Sequence, residues 1–162
     1  MTLNAEPTTR RWLPSHGYAN HEDAVARLAV LIDCYTTPGH PRQGPYVMAI
    51  EHGNTGRLLG HVGFSPFHED VEISYAIAEA SRGRGYATEA LILACNWIAD
   101  TYAVPSILAL TATENIPSRR TLERASFGQI EDDVMTFQAT TQTVSRYRWS
   151  ARTDIGGDQR RP

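Results

Sequence analysis

Residues 71–90, VEISYAIAEASRGRGYATEA, are the stretch of this chain that decides the fold. Residues 71–78 predict a strand, residues 81–85 a turn with two arginines and two glycines, and the residues after it an apolar helix. The first N–H groups of a helix have no partner within it, and the helix dipole adds partial positive charge, so such a turn favours a phosphate or diphosphate. Gly83 and Gly85 allow the main chain to approach this anion closely.

Residue types exclude two common classes of nucleotide-binding loop. A P-loop needs a lysine that reaches the outer phosphates, and all 15 basic residues here are arginine. A dinucleotide-binding fingerprint needs a third glycine three positions after the second, and an acidic residue about 20 positions further on. Neither Thr88 nor residues 103–106 meet these needs. Kinase, P-loop and dinucleotide-binding functions are therefore not expected.

A spaced set of residues surrounds the turn: Arg82-x-x-Gly85-x-Ala87, then Asn115-x-x-Ser118, and finally Phe127. This set resembles the acetyl-coenzyme A loop and its surroundings in the GNAT N-acetyltransferase superfamily, most of all the branch with ribosomal-protein-alanine N-acetyltransferases. The resemblance covers roughly residues 58–127. It implies an α+β fold with a twisted mixed sheet, mostly antiparallel with a parallel central pair, flanked by helices. It also implies an enzyme that moves acetyl from acetyl-coenzyme A directly to a primary amine in a ternary complex.

The resemblance further implies which groups hold acetyl-coenzyme A. The main chain of residues 75–78 would pair with the pantetheine arm, and an N–H near Ala76 or Ile77 would stabilise the oxyanion at the thioester. The N–H groups of residues 83–88 would bind the diphosphate, helped by the Thr88 hydroxyl and by the guanidinium of Arg82 or Arg84. The expected cofactor-binding residues are Tyr75, Ala76, Ile77, Ala78, Arg82, Gly83, Arg84, Gly85, Tyr86, Ala87, Thr88, Asn115 and Ser118.

Amine attack on a thioester needs a base, because an alkylamine has a pKa of about 10 and carries a proton at neutral pH. Glu72 is the first candidate, since it shares a strand face with Ser74 and Ala76 and since the resembled family often places a carboxylate on this strand. The base could act through a water molecule. The alternative is that Glu72 is only a solvated strand residue.

The departing thiolate needs a proton donor, and the chain differs here from many members of the family. They use a tyrosine four residues beyond the position of Ser118, where this chain has Leu122. Ser118, or a water that it holds, becomes the candidate donor. Asn115 would bind the pantetheine arm, cap a helix, or do both. A second difference is Ser126, where relatives have a left-handed glycine, at a cost of about 1 kcal/mol.

Composition bounds the remaining possibilities. One domain is expected over residues 9–151, with disordered tails at 1–8 and 152–162. A net charge of -3 and a pI near 6.0 argue against a nucleic-acid partner. No apolar run is long enough to predict a membrane span, so a cytoplasmic enzyme is expected. The six histidines lack paired spacings, and no metal site is predicted.

Periodicity predicts the other elements. A helix capped by Asn20 should present an apolar face made of Val25, Leu28, Ile32 and Tyr35. Because a strand, a helix and a strand in this order need a right-handed crossover, the strand after the central helix should run parallel to the strand before it. The predicted order is helix 21–36, hairpin strands 46–51 and 58–67, strand 70–78, a helix from the turn to about 103, strand 106–113, a helix from 114 or 115, and a closing hairpin within 127–149.

Three functional hypotheses remain open from the sequence. The acceptor of an acetyltransferase could be a protein N-terminal amine or a small-molecule amine, and the acidic residues 131–133 could attract it or simply be solvated. A non-catalytic module that binds coenzyme A or acyl-coenzyme A is the second hypothesis, and a plain interaction domain is the third. Since residues 144–149 are expected at a sheet edge, the protein could be a monomer or a homodimer.

Overall fold

A computed structural model describes residues 3–36, 39–138 and 140–151. Its centre is a six-stranded sheet in the order β1-β2-β3-β4-β6-β5. All neighbouring strands are antiparallel except β3 and β4, which are parallel. The strands are β1 Tyr46–Glu51, β2 Leu58–Phe67, β3 Asp70–Ile77, β4 Ser106–Ala112, β5 Gly128–Phe137 and β6 Thr140–Ser150. The predicted mixed sheet with a parallel central pair is confirmed.

Four α-helices accompany the sheet: α1 Pro7–Trp12, α2 His21–Thr36, α3 Tyr86–Tyr102 and α4 Ile116–Arg124. Short 3₁₀ helices form at Leu3–Ala5, Pro14–His16 and Glu79–Ser81. The buried face of α3 consists of residues at helical spacing, which pack with the sheet into one core. They are Leu91, Ala94, Cys95 and Ile98. The crossover from β3 through α3 to β4 therefore has the predicted form.

Capping residues fix the ends of two helices as the sequence indicates. The Asn20 side-chain oxygen accepts a hydrogen bond of 2.9 Å from the N–H of Asp23 at the start of α2. The Asn115 side chain accepts one of 3.3 Å from the N–H of Ser118 at the start of α4. At the end of α4, Ser126 has φ 67°, so this serine adopts the left-handed conformation expected of a glycine at that place.

The N-terminal segment differs from its prediction as a disordered tail. Residues 3–8 lie in helical segments, and Glu6 and Thr9 are buried. The reason is a long-range contact that local composition does not reveal, since Glu6 forms an ion pair with Arg82 at 3.0 Å. Residues 1–2 and 152–162 lie outside the described residues.

Two further expectations are wrong. The strand with residues 144–149 is not at an edge, because β6 lies between β4 and β5, and the described edge strands are β1 and β5. The helix 21–36 forms as predicted, but Val25, Leu28 and Ile32 are 51%, 51% and 62% exposed. The apolar periodicity of α2 therefore does not correspond to a buried face. The side chain of Tyr35 lies outside the described part of the structure.

Candidate active site

The parallel strands β3 and β4 separate soon after they meet. Their pairing is confined to Glu72 with Leu108 and Ile73 with Ala109. The later residues of β3 and β4 line a cavity of about 430 Å³, together with the turn after β3, the start of α4 and part of the N-terminal segment. A ligand can thus enter between two strands of the sheet, beside the main chain of residues 75–77.

Hydrogen-bond alternation shows which main-chain groups of β3 face this opening. The N–H of Ala78 donates to the Leu59 carbonyl of β2 at 2.8 Å. Because successive residues of a strand direct their N–H groups to opposite sides, Ala76, paired with His61, also directs its N–H toward β2. Tyr75 and Ile77 direct theirs toward β4. Of the two oxyanion donors expected from the sequence, Ile77 has the suitable direction and Ala76 does not.

The turn after β3 and the start of α3 line the cavity. Gly83 and Gly85 have φ 73° and 85°, in the left-handed region that suits glycine. Gly85 precedes the first residue of α3, and the first intrahelical bond is donated by Glu89 to the Gly85 carbonyl at 3.0 Å. Within the described residues, the amides of residues 83–88 donate no hydrogen bond to the protein. These amides are therefore unpaired among the described residues, and their binding of an anion stays a prediction.

Arg82 has a different position from the one expected of a phosphate ligand. Its Nε donates to the Ile77 carbonyl at 2.8 Å, and its terminal nitrogen donates to Glu6 at 3.0 Å and Thr9 at 3.2 Å. Both Glu6 carboxylate oxygens also accept from the N–H of Glu79 at 3.0 Å. Arg82 thus joins the N-terminal segment to the end of β3. Local sequence patterns do not indicate this contact, because Arg82 lies more than 70 residues from both Glu6 and Thr9.

Other arginines provide exposed positive charge near the turn. Arg84 is exposed and is not among the residues found to line the cavity, whereas Arg120 and Arg124 of α4 do line it. These two were not predicted, although their spacing of four residues on a helix that follows Asn115-x-x-Ser118 would have placed them on one face. They are suitably placed to interact with phosphate groups of a ligand.

Glu72 lies in the cavity wall, where burial disfavours the charged form of its carboxyl group. Burial raises the pKa of its carboxyl to about 7, compared with an ordinary 4.5. No described residue forms a hydrogen bond or an ion pair with this carboxylate. The group is half protonated near neutral pH, and its oxygens are free for a substrate. These are the properties of a general base.

On the opposite sheet face, Ser118 is held by a neighbour that the sequence analysis considered only for its main chain. The Tyr75 hydroxyl lies 2.9 Å from Ser118 Oγ and also donates to the Ser118 carbonyl at 3.3 Å. Burial raises the pKa of Tyr75 above its ordinary value, so the phenol stays protonated. Tyr75, Asn115 and Ser118 all line the cavity. Alternation along β3 could have indicated this, since Tyr75 faces away from Glu72.

The N-terminal segment covers the Glu72 face of the sheet. His16 stacks on His61 with ring centroids 5.6 Å apart, and His61 pairs with Ala76, on the same face as Glu72. Trp12 and Leu13 line the cavity. They lie in the chain between Thr9, which accepts a hydrogen bond from Arg82, and His16. This wall of the site therefore comes from residues that the sequence analysis assigned partly to a tail.

Histidine does not provide a second candidate base on this face. Burial, and then the charge of His16, lower the pKa of His61 to about 4, so its ring is neutral near pH 7 and binds protons weakly. Among the described residues, no group of three or more His, Cys, Asp or Glu side chains could hold a metal ion. No described helix is both long and apolar enough to cross a bilayer.

Comparison with protein families gives one match. Residues 1–128 match the family described as "Acetyltransferase (GNAT) domain". None of the curated proteins matches the chain in sequence.

Many solved structures share the fold at low identity. An acetyltransferase of the GNAT family from Bacillus anthracis has a TM-score of 0.75 and 15% identity, over 91% of this chain and 84% of that one. Spermidine N-acetyltransferase from Vibrio cholerae, in complex with CoA and spermine, has a TM-score of 0.73 and 18% identity, over 91% and 85%. Ribosomal-protein-S5-alanine acetyltransferase from Vibrio fischeri has a TM-score of 0.70 and 16% identity, over 99% and 89%.

Proposed function

The chain belongs to the acetyltransferase (GNAT) domain family, and we propose that it transfers acetyl from acetyl-coenzyme A directly to a primary amine, with both substrates bound at once. The observation that carries this proposal is the set of unpaired amides in residues 83–88, at the mouth of an opening between β3 and β4. These amides can donate hydrogen bonds to a diphosphate, and the extended pantetheine arm of coenzyme A can lie beside the edge of β3 that faces the opening. The chemistry then takes place where Glu72 and Ser118 line the same cavity.

On the cofactor side, this chain's main chain does most of the binding. The amides of Gly83 to Thr88, with the Thr88 hydroxyl, would hold the diphosphate, and Arg120 and Arg124 would add charge. The N–H groups of Tyr75 and Ile77 and the Tyr75 carbonyl, which face β4, would hold the pantetheine arm, while the Ile77 carbonyl accepts from Arg82. The Ile77 N–H would donate to the thioester oxygen during attack. Asn115 would bind the arm while it caps α4.

On the acceptor side, Glu72 would take a proton from the acceptor's ammonium group, directly or through water, and the neutral amine that results would attack the thioester carbon. A carboxyl with a pKa of about 7 is matched to this task, because near neutral pH much of it is in the basic form while it still binds protons well. Ser118, oriented by Tyr75, would supply a proton to the departing thiolate. The carbon–nitrogen bond forms and the carbon–sulfur bond breaks. The second proton lost by the nitrogen returns to the Ser118 oxygen through water, and coenzyme A leaves as the thiol.

The test is an assay of thiol release from acetyl-coenzyme A with a panel of primary amines, which includes small amines and peptides with different N-terminal residues. Thermal unfolding with acetyl-coenzyme A gives an independent measure of binding, since ligand at 100 times its Kd should add about 2.7 kcal/mol of stability. Binding with amine-dependent thiol release supports the proposal. Binding without release from any amine would favour the non-catalytic module, and no binding would favour an interaction domain.

A further inference from the structure

Given the proposed acetyl transfer, on which this inference rests, the structure assigns the acceptor to a chemical class: a primary amine carried on an uncharged, largely apolar group, and not a polyamine. The two sides of the sheet carry different residues of the site. Tyr75 contacts Ser118 of α4 on one side. Glu72 precedes Tyr75 by three positions in β3 and therefore lies on the other side. Arg120 and Arg124 belong to α4 and hence to the Tyr75 side. The acceptor meets the Glu72 side.

Three carboxylates of the sheet on the Glu72 side form ion pairs with arginines. Arg146 lies 3.3 Å from Glu131 and 3.7 Å from Asp133, and Arg148 lies 3.7 Å from Asp70. The third residue of the acidic run, Asp132, accepts a hydrogen bond from Gln129 at 2.9 Å. None of the residues 131–133 lines the cavity, so the negative charge that a single arginine leaves on this run lies outside it. Among the described residues that line the cavity, Glu72 is the one carboxylate.

Apart from Ser74, which shares the strand face of Glu72, apolar side chains form much of the acceptor wall. Leu110 follows Leu108, the partner of Glu72, by two residues, so it lies on the Glu72 side. Phe137 is on that side as well. It is four residues beyond Asp133 in β5, so the two side chains share a face, and the Asp133 carboxylate forms its ion pair with Arg146 on that face. Trp12 and Leu13 cover the cavity from the N-terminal segment, which His16 fixes on the same side. All four apolar residues line the cavity.

A charge beside this wall has the wrong sign for a polyamine. The Arg11 guanidinium lies 4.5 Å from the centroid of the Trp12 ring, at the edge of this apolar wall. An acceptor with one ammonium group can pair it with Glu72 and place its uncharged remainder against Trp12, Leu13 and Phe137. A second ammonium would lose its water against these side chains without a partner, which is unfavourable.

A matched pair of amines tests this inference, because n-butylamine and 1,4-diaminobutane differ by a single amino group. We expect the kcat/KM of n-butylamine to exceed that of the diamine by about tenfold or more. Equal or faster turnover of the diamine, or of spermidine, would overturn the inference while the proposed function stands. No turnover with any amine, despite binding of acetyl-coenzyme A, would remove both.

Variants at the apolar wall test the cause of the preference. Phe137→Glu adds a carboxylate to the acceptor side and should shift the ratio of kcat/KM values toward the diamine. Phe137→Gln introduces an uncharged side chain of nearly the same shape as glutamate, and it should leave the ratio close to that of the native protein. Leu13→Glu and Leu13→Gln repeat the comparison at a second position if the first pair folds poorly. An unchanged ratio in both glutamate variants contradicts the assignment.

Two further acceptors separate the possible sources of such an amine. 2-Phenylethylamine represents small amines, and the amidated peptide Ala-Phe-Ala represents protein N-termini. Both carry one ammonium group beside uncharged atoms, and faster turnover of either relative to spermidine supports the inference. The faster of the two identifies the source.

Discussion

The two ends of the cavity are built in different ways. The proposed diphosphate end is a short continuous stretch, residues 83–88, in which main-chain amides would be the binding groups. The acceptor end is made of side chains from three distant parts of the chain, represented by Trp12, Glu72 and Phe137. A main-chain site depends on local conformation and tolerates side-chain change, whereas a side-chain site depends on tertiary packing. Substitutions at the two ends should therefore affect different kinetic quantities.

The largest effect is expected at the acceptor end, from Glu72→Gln. Loss of the base should lower kcat by about 10² to 10³-fold while the Kd of acetyl-coenzyme A changes little. Steady-state kinetics and a binding titration measure the two quantities. Glu69→Gln, in the exposed turn before β3, is the matched control and should keep full activity. A Glu72→Gln enzyme with normal kcat would show that Glu72 is only a strand residue.

The same substitution should stabilise the protein at high pH. Glu72 has a raised pKa in the folded state, about 7 against 4.5, so only the folded protein holds this proton between these values, and stability of the native protein falls as pH rises through that range. Glu72→Gln should thus be more stable than the native protein by on the order of 2 kcal/mol at pH 8, and by much less at pH 4.5. Urea unfolding at both pH values measures this difference, and a constant difference would argue against a desolvated carboxylate.

At the diphosphate end, Gly85→Val should act on cofactor binding. A β-branched residue at φ 85° is strained by about 1–2 kcal/mol, so the loop would move away from its anion-binding conformation. We expect the affinity for acetyl-coenzyme A to fall about tenfold, with the amine preference unchanged. Gly44→Val, at a glycine without positive φ and with no neighbouring atom within 4 Å of an added Cβ, is the control. Unchanged affinity would refute the role of this turn.

The smallest effect is expected between the two ends, from Tyr75→Phe. Removal of the hydroxyl that contacts Ser118 should lower kcat by about three- to tenfold without a matching change in the KM for acetyl-coenzyme A. Because the two hydroxyls act together, Tyr75→Phe should add little to Ser118→Ala in the double variant. Tyr18→Phe, which leaves a partly exposed ring in place, serves as the control. Fully additive losses would show that Tyr75 does not act through Ser118.

The sequence predicted the regular elements well because their signals are local. Alternation over residues 46–51 and 58–67 gave the first hairpin with the bounds that the structure has, and the strand, helix, strand order gave the parallel pair β3 and β4. The α2 periodicity was misleading in one respect, since helical spacing of apolar residues shows which face they share but not whether anything covers it. Similarly, alternation in β6 predicted a strand without showing its place inside the sheet.

By itself, the sequence determined where an anion-binding turn follows a strand, because glycines and a helix start act within a few residues. It also placed Glu72 on one strand face and a capped helix start at Asn115. Only the tertiary structure decided that Arg82 pairs with Glu6, that Tyr75 contacts Ser118, and that burial brings the pKa of Glu72 to about 7. Burial and contacts between residues far apart in the chain depend on how the elements pack, and local composition does not contain that information.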